Sequence, residues 1–169
     1  MREKKKPKQA KQKVKKPEIT KDGKFYELRN AAYANLPEAR RLIQEDPPIV
    51  SAKNSIGETA LHFLVVENLL EAVEFLAQHG SDVNNLNNFG TSAIVEAAQL
   101  GYVEMVDLLL NLGADIDVDE MVEEMEASEV EEETRNRMMA IFQQHGYITK
   151  VYNHHPTNGS TRQLRAPLR

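Results

Sequence analysis

Residues 54–117 carry one pattern twice, and the offset between the copies does not drift. The first copy opens Asn54-Ser55-Ile56-Gly57-Glu58-Thr59-Ala60-Leu61-His62 and closes His79-Gly80-Ser81-Asp82-Val83-Asn84. The second opens Asn87-Asn88-Phe89-Gly90-Thr91-Ser92-Ala93-Ile94-Val95 and closes Leu112-Gly113-Ala114-Asp115-Ile116-Asp117. Gly57 and Gly90 stand 33 residues apart, as do Gly80 and Gly113, Ala60 and Ala93, and Asp82 and Asp115. A fixed period of this size marks an array of stacked units. No single unit of that length buries its apolar faces alone, so neighbours must share one continuous core.

Each recurring residue type has a local reason. Gly57 and Gly90 lie where a tight turn leads into a helix, and glycine takes positive φ at little cost. Thr59 and Ser92 are suited to cap the first helix of each unit. Gly80 and Gly113 follow the second helix, where a left-handed terminating residue is favoured. The spacing predicts helices near 58–66, 70–78, 91–99 and 103–111. Small residues in the first helices (Ala60, Ala93, Ala97, Ala98) allow close approach, and Val73, Leu76, Val106 and Leu109 in the second helices fill the space between units.

The run Gly57-Glu58-Thr59-Ala60-Leu61-His62, with the endings at Gly80 and Gly113, resembles the ankyrin repeat; Ala60 stands where that family usually has proline. The second copy departs further, with Ser92 for the threonine and Val95 for the histidine, which weakens local hydrogen bonding but keeps the apolar positions. The resemblance implies an all-α solenoid of about four helix–turn–helix units joined by short β-hairpin-like turns.

The same offset extends into both flanks. Backwards, Ala31 and Ala32 align with Leu64 and Val65, Leu36 with Leu69, Ala39 with Ala72, Leu42 with Phe75 and Ile43 with Leu76. Asn35 matches Asn68 between the helices. Pro37 sits at a helix start, where proline is tolerated. Pro47-Pro48 takes the place of the glycine turn, and Arg40 and Arg41 give the polar outer surface of a terminal unit. Forwards, Gly113 maps to Gly146, Leu108 to Ile141 and Leu109 to Phe142; Met138, Met139, Ile141 and Phe142 are placed to cover the last apolar face. The expected organisation is a basic tail over 1–24, a repeat domain over 25–150 with units 25–53, 54–86, 87–117 and 118–150, and a loose tail over 151–169.

Composition excludes several classes. There is no cysteine, hence no disulfide framework or thiolate metal site. No apolar run reaches the length of a membrane span, and the basic N-terminus is not followed by the apolar stretch of a secretory signal. A soluble, cytoplasmic, monomeric protein is the expectation. The net charge of −5 is segregated: residues 1–24 carry eleven Lys/Arg and three Asp/Glu, and residues 25–169 carry ten against twenty-three.

The basic clusters Lys4, Lys5, Lys6 and Lys8, then Lys13, Lys15 and Lys16, read as contacts for an anionic surface, nucleic acid or ribosome, as a nuclear-import signal, as a solvated tail, or as a segment that lies on the acidic body. All of these readings stand on sequence. Asp115, Asp117, Asp119, Glu123 and Glu126 fit a calcium loop poorly, since Glu120 occupies the place of the required glycine. No histidine has partners at a ligand or catalytic spacing, and no glycine-rich phosphate loop is present. Neither a cofactor, a metal nor an enzymatic activity is expected.

What the resemblance implies is partner binding by the hairpin tips and the inner surface of the first helices. Mapped here, the tips give Ser55, Ile56, Asn88 and Phe89, with Lys53 and Leu86 just before them. The helix-facing positions give Tyr33, Glu58, Val66, Glu67, Thr91, Gln99 and Leu100. Ile56, Phe89, Val66, Leu86, Leu100 and Tyr33 would form an apolar stripe, a usual mark of an interaction site. The competing reading packs Ile56 and Phe89 within or between the hairpins.

Overall fold

A computed structural model describes residues 21–147. Among them are eight α-helices and one 3-10 helix: α1 Lys21–Ala34, α2 Leu36–Glu45, the 3-10 helix Pro47–Ser51, α3 Ala60–Val66, α4 Leu70–Gln78, α5 Ala93–Gln99, α6 Val103–Asn111, α7 Val118–Ala127 and α8 Glu132–Gln144. The β pairing among the described residues amounts to two isolated antiparallel bridges, Lys53 with Thr59 and Leu86 with Ser92. These are hairpins one bridge long, repeated at the 33-residue offset.

The helices form two layers. α1, α3, α5 and α7 pack side by side, and each packs on its chain successor α2, α4, α6 or α8. The outer helices α4, α6 and α8 also meet in sequence, whereas α2 and α4 leave between them a groove of about 410 Å³ lined by Leu36, Pro37, Arg40 and Phe75. One apolar cluster runs from Leu28 to Phe142 through every unit. Leu61, Leu64 and Val65 of α3 and Ile94, Ala97 and Ala98 of α5 are fully buried, because the inner helices have neighbours on both sides.

Helices α3 and α5 start two residues later than the sequence spacing predicts. Thr59 and Ser92 keep extended backbone, with ψ of 167° and 161°, because each is still bridged to the far side of its hairpin. Glu58 and Thr91 therefore belong to hairpins and not to helices.

The first unit also differs. Helix α1 begins inside the stretch 1–24 read as a tail. Phe25, Leu28 and Ala32 fall on one helical face and are buried. Lys24 pairs with Asp46 at 2.7 Å, tying the helix start to the end of α2. Asn35 caps α2, its Oδ1 accepting from the Glu38 N–H at 3.3 Å, and Pro37 occupies the first turn. Where later units have a glycine turn, the 3-10 helix buries Ile49 and Val50 instead. Residues 1–20 and 148–169, with the lysine clusters and the C-terminal tail, lie outside the described residues.

At the other end, Asp117 caps α7, its Oδ1 accepting from the N–H groups of Asp119 at 2.9 Å and Glu120 at 3.2 Å. A residue of the calcium-like run thus serves the helix start. Met138 and Phe142 are fully buried, Met139 and Ile141 half-buried. Met121 and Met125 of α7 are buried with them, so the last unit is closed from both of its helices.

Candidate interaction face

The two hairpins are built by the same asparagine chemistry. Asn54 Oδ1 accepts from the N–H groups of Ile56 and Glu58, both at 3.0 Å. Asn87 Oδ1 accepts from those of Phe89 at 2.9 Å and Thr91 at 3.0 Å. The turns close on Gly57 and Gly90, with φ of 82° and 81°, values that cost a residue with a Cβ about 1–2 kcal/mol. The Asn54 and Asn87 side chains hold two N–H groups of each turn, and the tip side chains are exposed. Ile56 is 40% exposed and Phe89 76% exposed.

The hairpins are also tied to each other. The Asn88 N–H donates to the Ile56 carbonyl at 2.9 Å, and Asn88 Nδ2 to the Ser55 carbonyl at 3.2 Å. Lys53 Nζ donates to the Leu86 carbonyl at 3.1 Å. Ser55 and Asn88 are exposed, but these bonds make them, with Lys53, part of the frame that fixes the spacing of the tips.

Below the first hairpin, His62 is buried. Its Nδ1 accepts from the Thr59 N–H at 3.3 Å and from the Thr59 hydroxyl at 2.9 Å. Burial lowers its pKa, so the ring is neutral with its proton on Nε2. That proton faces the Asn85 and Thr91 carbonyls of the next hairpin without reaching good hydrogen-bond geometry. The second unit has Val95 instead of this anchor, and Ser92 makes no side-chain cap. Glu96 braces that hairpin instead, its Oε1 accepting from Asn87 Nδ2 at 3.2 Å.

Glu96 was not among the residues singled out from sequence. Its Oε2 is buried with no hydrogen-bond partner among the described residues. Burial and the neighbouring Glu58 carboxylate push its pKa up to about 7, against the lowering effect of the Asn87 amide. Glu58 is itself held by Asn54 Nδ2 at 2.8 Å. A second carboxylate nearby disfavours ionisation of the half-buried Glu96. Glu96 on α5 is the 33-residue counterpart of Phe63 on α3, so both share one face of the inner helices, but the offset does not disclose the burial of Glu96 or its nearness to Glu58.

Phe63 begins the apolar end of that face. It is half-buried, its ring centroid lies 6.2 Å from that of Tyr33, and the Arg29 guanidinium sits 4.7 Å above it. The same guanidinium is 5.0 Å from the Tyr26 ring, a distance at which cation–π attraction operates. Tyr26, Arg29 and Phe63 thus join Tyr33, which the sequence did indicate. Val66, Leu86 and Leu100 are exposed, as is Glu67. Glu58, Thr91 and Gln99 are half-buried. Gln99 donates to Glu124 at 2.6 Å and so ties α5 to α7.

The family model for ankyrin repeats (three copies) matches residues 28–120, more than half of the chain. The chain belongs to the ankyrin-repeat family. Among curated relatives, an ankyrin repeat protein of Acanthamoeba polyphaga mimivirus is 38% identical over 66 residues, 38% of this chain and 16% of that one. The rat ankyrin repeat and SAM domain-containing protein 6 is 34% identical over 83 residues, 48% of this chain and 9% of its own length. Human protein phosphatase 1 regulatory subunit 27 is 29% identical over 83 residues, 49% of this chain and 54% of that protein. The ankyrin chain therefore spans about half or less of these relatives. Among its described residues no helix is long and apolar enough to cross a membrane.

Proposed function

We propose that the protein is a non-catalytic binding module that recognises a partner protein with the hairpin tips and the inner helical face. The observation that carries this reading is Phe89, an aromatic residue 76% exposed on a turn whose Phe89 and Thr91 N–H groups are held by Asn87. Large apolar side chains held out on a rigid frame are costly in water and lose little conformational freedom on binding. Ile56, Leu86, Val66, Leu100 and Tyr33 extend the apolar surface on either side. The name of the human relative, a regulatory subunit, is in keeping with a role exerted through binding.

The test is affinity capture from a native lysate with the full chain, before and after nuclease treatment. A parallel capture uses Phe89→Ala, and another replaces Lys4, Lys5 and Lys6 with glutamine. A partner protein that survives nuclease and the lysine changes but is lost on Phe89→Ala supports the inner face. Aromatic anchors of this kind are worth about 2 kcal/mol or more, roughly thirtyfold in affinity. Phe89→Ala should leave the melting temperature unchanged; a marked fall would make Phe89 a packing residue and refute the assignment. Capture abolished by nuclease or by the lysine changes would move the function to the basic segment.

A further inference from the structure

Most cations among the described residues already have an acceptor. Lys24, Arg41 and Arg137 pair with carboxylates, and Lys53 and Arg135 donate to the Leu86 and Val130 carbonyls. Arg40 lies over the Phe75 ring, in a groove that also holds Glu71 and Glu74. Arg29, at the α1 end of the inner face, is in none of the ion pairs among the described residues. Its guanidinium lies over the Tyr26 and Phe63 rings, and the Tyr26 ring stands edge-on to the buried Phe25, with centroids 5.0 Å apart. Asn30 Oδ1 accepts from Arg29 Nε at 3.1 Å and from Nη2 at 2.7 Å. Rings and amide thus fix the plane of the guanidinium and occupy one of its edges. The Nη1 end has no acceptor among the described residues. Arg29 is half-buried, but the unpartnered polar atoms closed off from the surface are His62 Nε2 and Glu96 Oε2, so Arg29 Nη1 is open to a ligand.

We propose that Arg29 receives an Asp or Glu carboxylate of the partner protein, carried on a segment whose large apolar side chains rest on Tyr33, Val66 and Phe89. This deepens the reading of the inner face as a protein-binding surface and rests on it. A guanidinium offers paired N–H groups in a fixed plane, which match the two oxygens of a carboxylate. With the Nε edge taken by Asn30, the end formed by Nη1 and the second Nη2 hydrogen does so here. The stack on aromatic rings leaves the side chain little freedom to lose on binding. Tyr33, 56% exposed with its ring 6.2 Å from that of Phe63, supplies the adjoining apolar surface.

The surrounding charges choose the occupant. Residues 25–169 carry ten Lys/Arg against twenty-three Asp/Glu, and the next unit brings Glu58 and Glu67 to the same face. One cation in such a field suits the single charge of a carboxylate; a phosphate group, with about two negative charges, would meet one cation and several acids. The chain's own outer segments do not fit, since residues 1–20 hold nine Lys/Arg and two Asp/Glu, and residues 148–169 four and none. A basic or neutral segment of the same shape would leave Arg29 unpaired, so the site selects among apolar partners.

The experiment is selection from a random peptide library against the full chain, against Arg29→Gln and against Phe89→Ala. The expected result is a set of peptides combining Asp or Glu with large apolar residues. Phe89→Ala should lose them all. Arg29→Gln should keep the apolar preference and lose the acidic one. For one selected peptide, changing its acid to the amide should lower affinity for the parent about tenfold and leave affinity for Arg29→Gln unchanged. Peptides that need Phe89 but show no acidic preference, or that lose equal affinity on Arg29→Gln in acid and amide forms, overturn this inference and leave the face standing. A dimer of the chain alone in sedimentation, dissolved by Arg29→Gln, would give the cation to a second copy and overturn it too. Binding indifferent to Phe89, or an empty selection against the full chain, overturns the reading of the face itself and this inference with it.

Discussion

Replacing Glu96 with glutamine should stabilise the protein at pH 8 and change little at pH 5. Folding raises the Glu96 pKa from 4.5 to about 7, so the folded chain holds this proton more tightly than the unfolded one. The stability tied to that proton is fully present below pH 4.5, falls as pH rises, and is lost above about 7. At about 1.4 kcal/mol per pH unit the full span is worth about 3 kcal/mol. Glu96 keeps part of its surface in water, and screening reduces this to about 1.5 kcal/mol. Glutamine copies the shape of the protonated acid and still accepts from Asn87. At pH 8 the variant should therefore melt about 5 °C higher, followed by helical circular dichroism; at pH 5 the two curves should overlay. His62 titrates in the opposite sense, since its lowered pKa costs stability as pH falls. Comparing variant and parent at each pH cancels that contribution. A gain of equal size at both pH values would mean that packing or hydrogen bonding, not charge, sets the cost of Glu96.

Two further perturbations probe the frame. Gly57→Ala and Gly90→Ala both place a Cβ at positive φ, but only at Gly57 would it run into Asn88 Oδ1 and lie 2.8 Å from the Asn88 backbone nitrogen. Urea unfolding should show a loss of about 1–2 kcal/mol for Gly90→Ala and at least about 1 kcal/mol more for Gly57→Ala; equal losses would refute the close approach of the hairpins. Asn84→Ala removes a donor to the Gly113 carbonyl at 3.1 Å and an acceptor for the Asp115 N–H at 2.9 Å. It should cost about 1–2 kcal/mol by the same assay, and no change would show that the bond between these loops is replaced by water.

The parts of the fold that could be read from sequence are those governed by period and backbone conformation. Gly57, Gly90, Gly80 and Gly113 mark positions only certain residues fill comfortably, so α4 and α6 fall where the spacing places them. The start of α1 was hidden because lysines dominate the local composition, while the burial of Phe25 and Leu28 depends on neighbouring elements. Ile56 and Phe89 had two open readings, because the asparagine bonds that hold each turn are not encoded in any apolar pattern. Glu96 was missed for a different reason. Its character comes from burial, an orphaned oxygen and the nearness of Glu58, quantities that exist only once two units are stacked.

The sulfur atoms of the last unit have a consequence of their own. The chain has six methionines and no cysteine, and Met121, Met125 and Met138 at the α7–α8 end are at most 1% exposed. A sulfoxide formed there would set a polar oxygen in an apolar seam. An oxidant reaches these side chains only when the end unit swings away from α5 and α6, so their rate of oxidation measures how often it does. Each such event would also hinder reclosure, turning a brief excursion into a lasting mark on the end of the array.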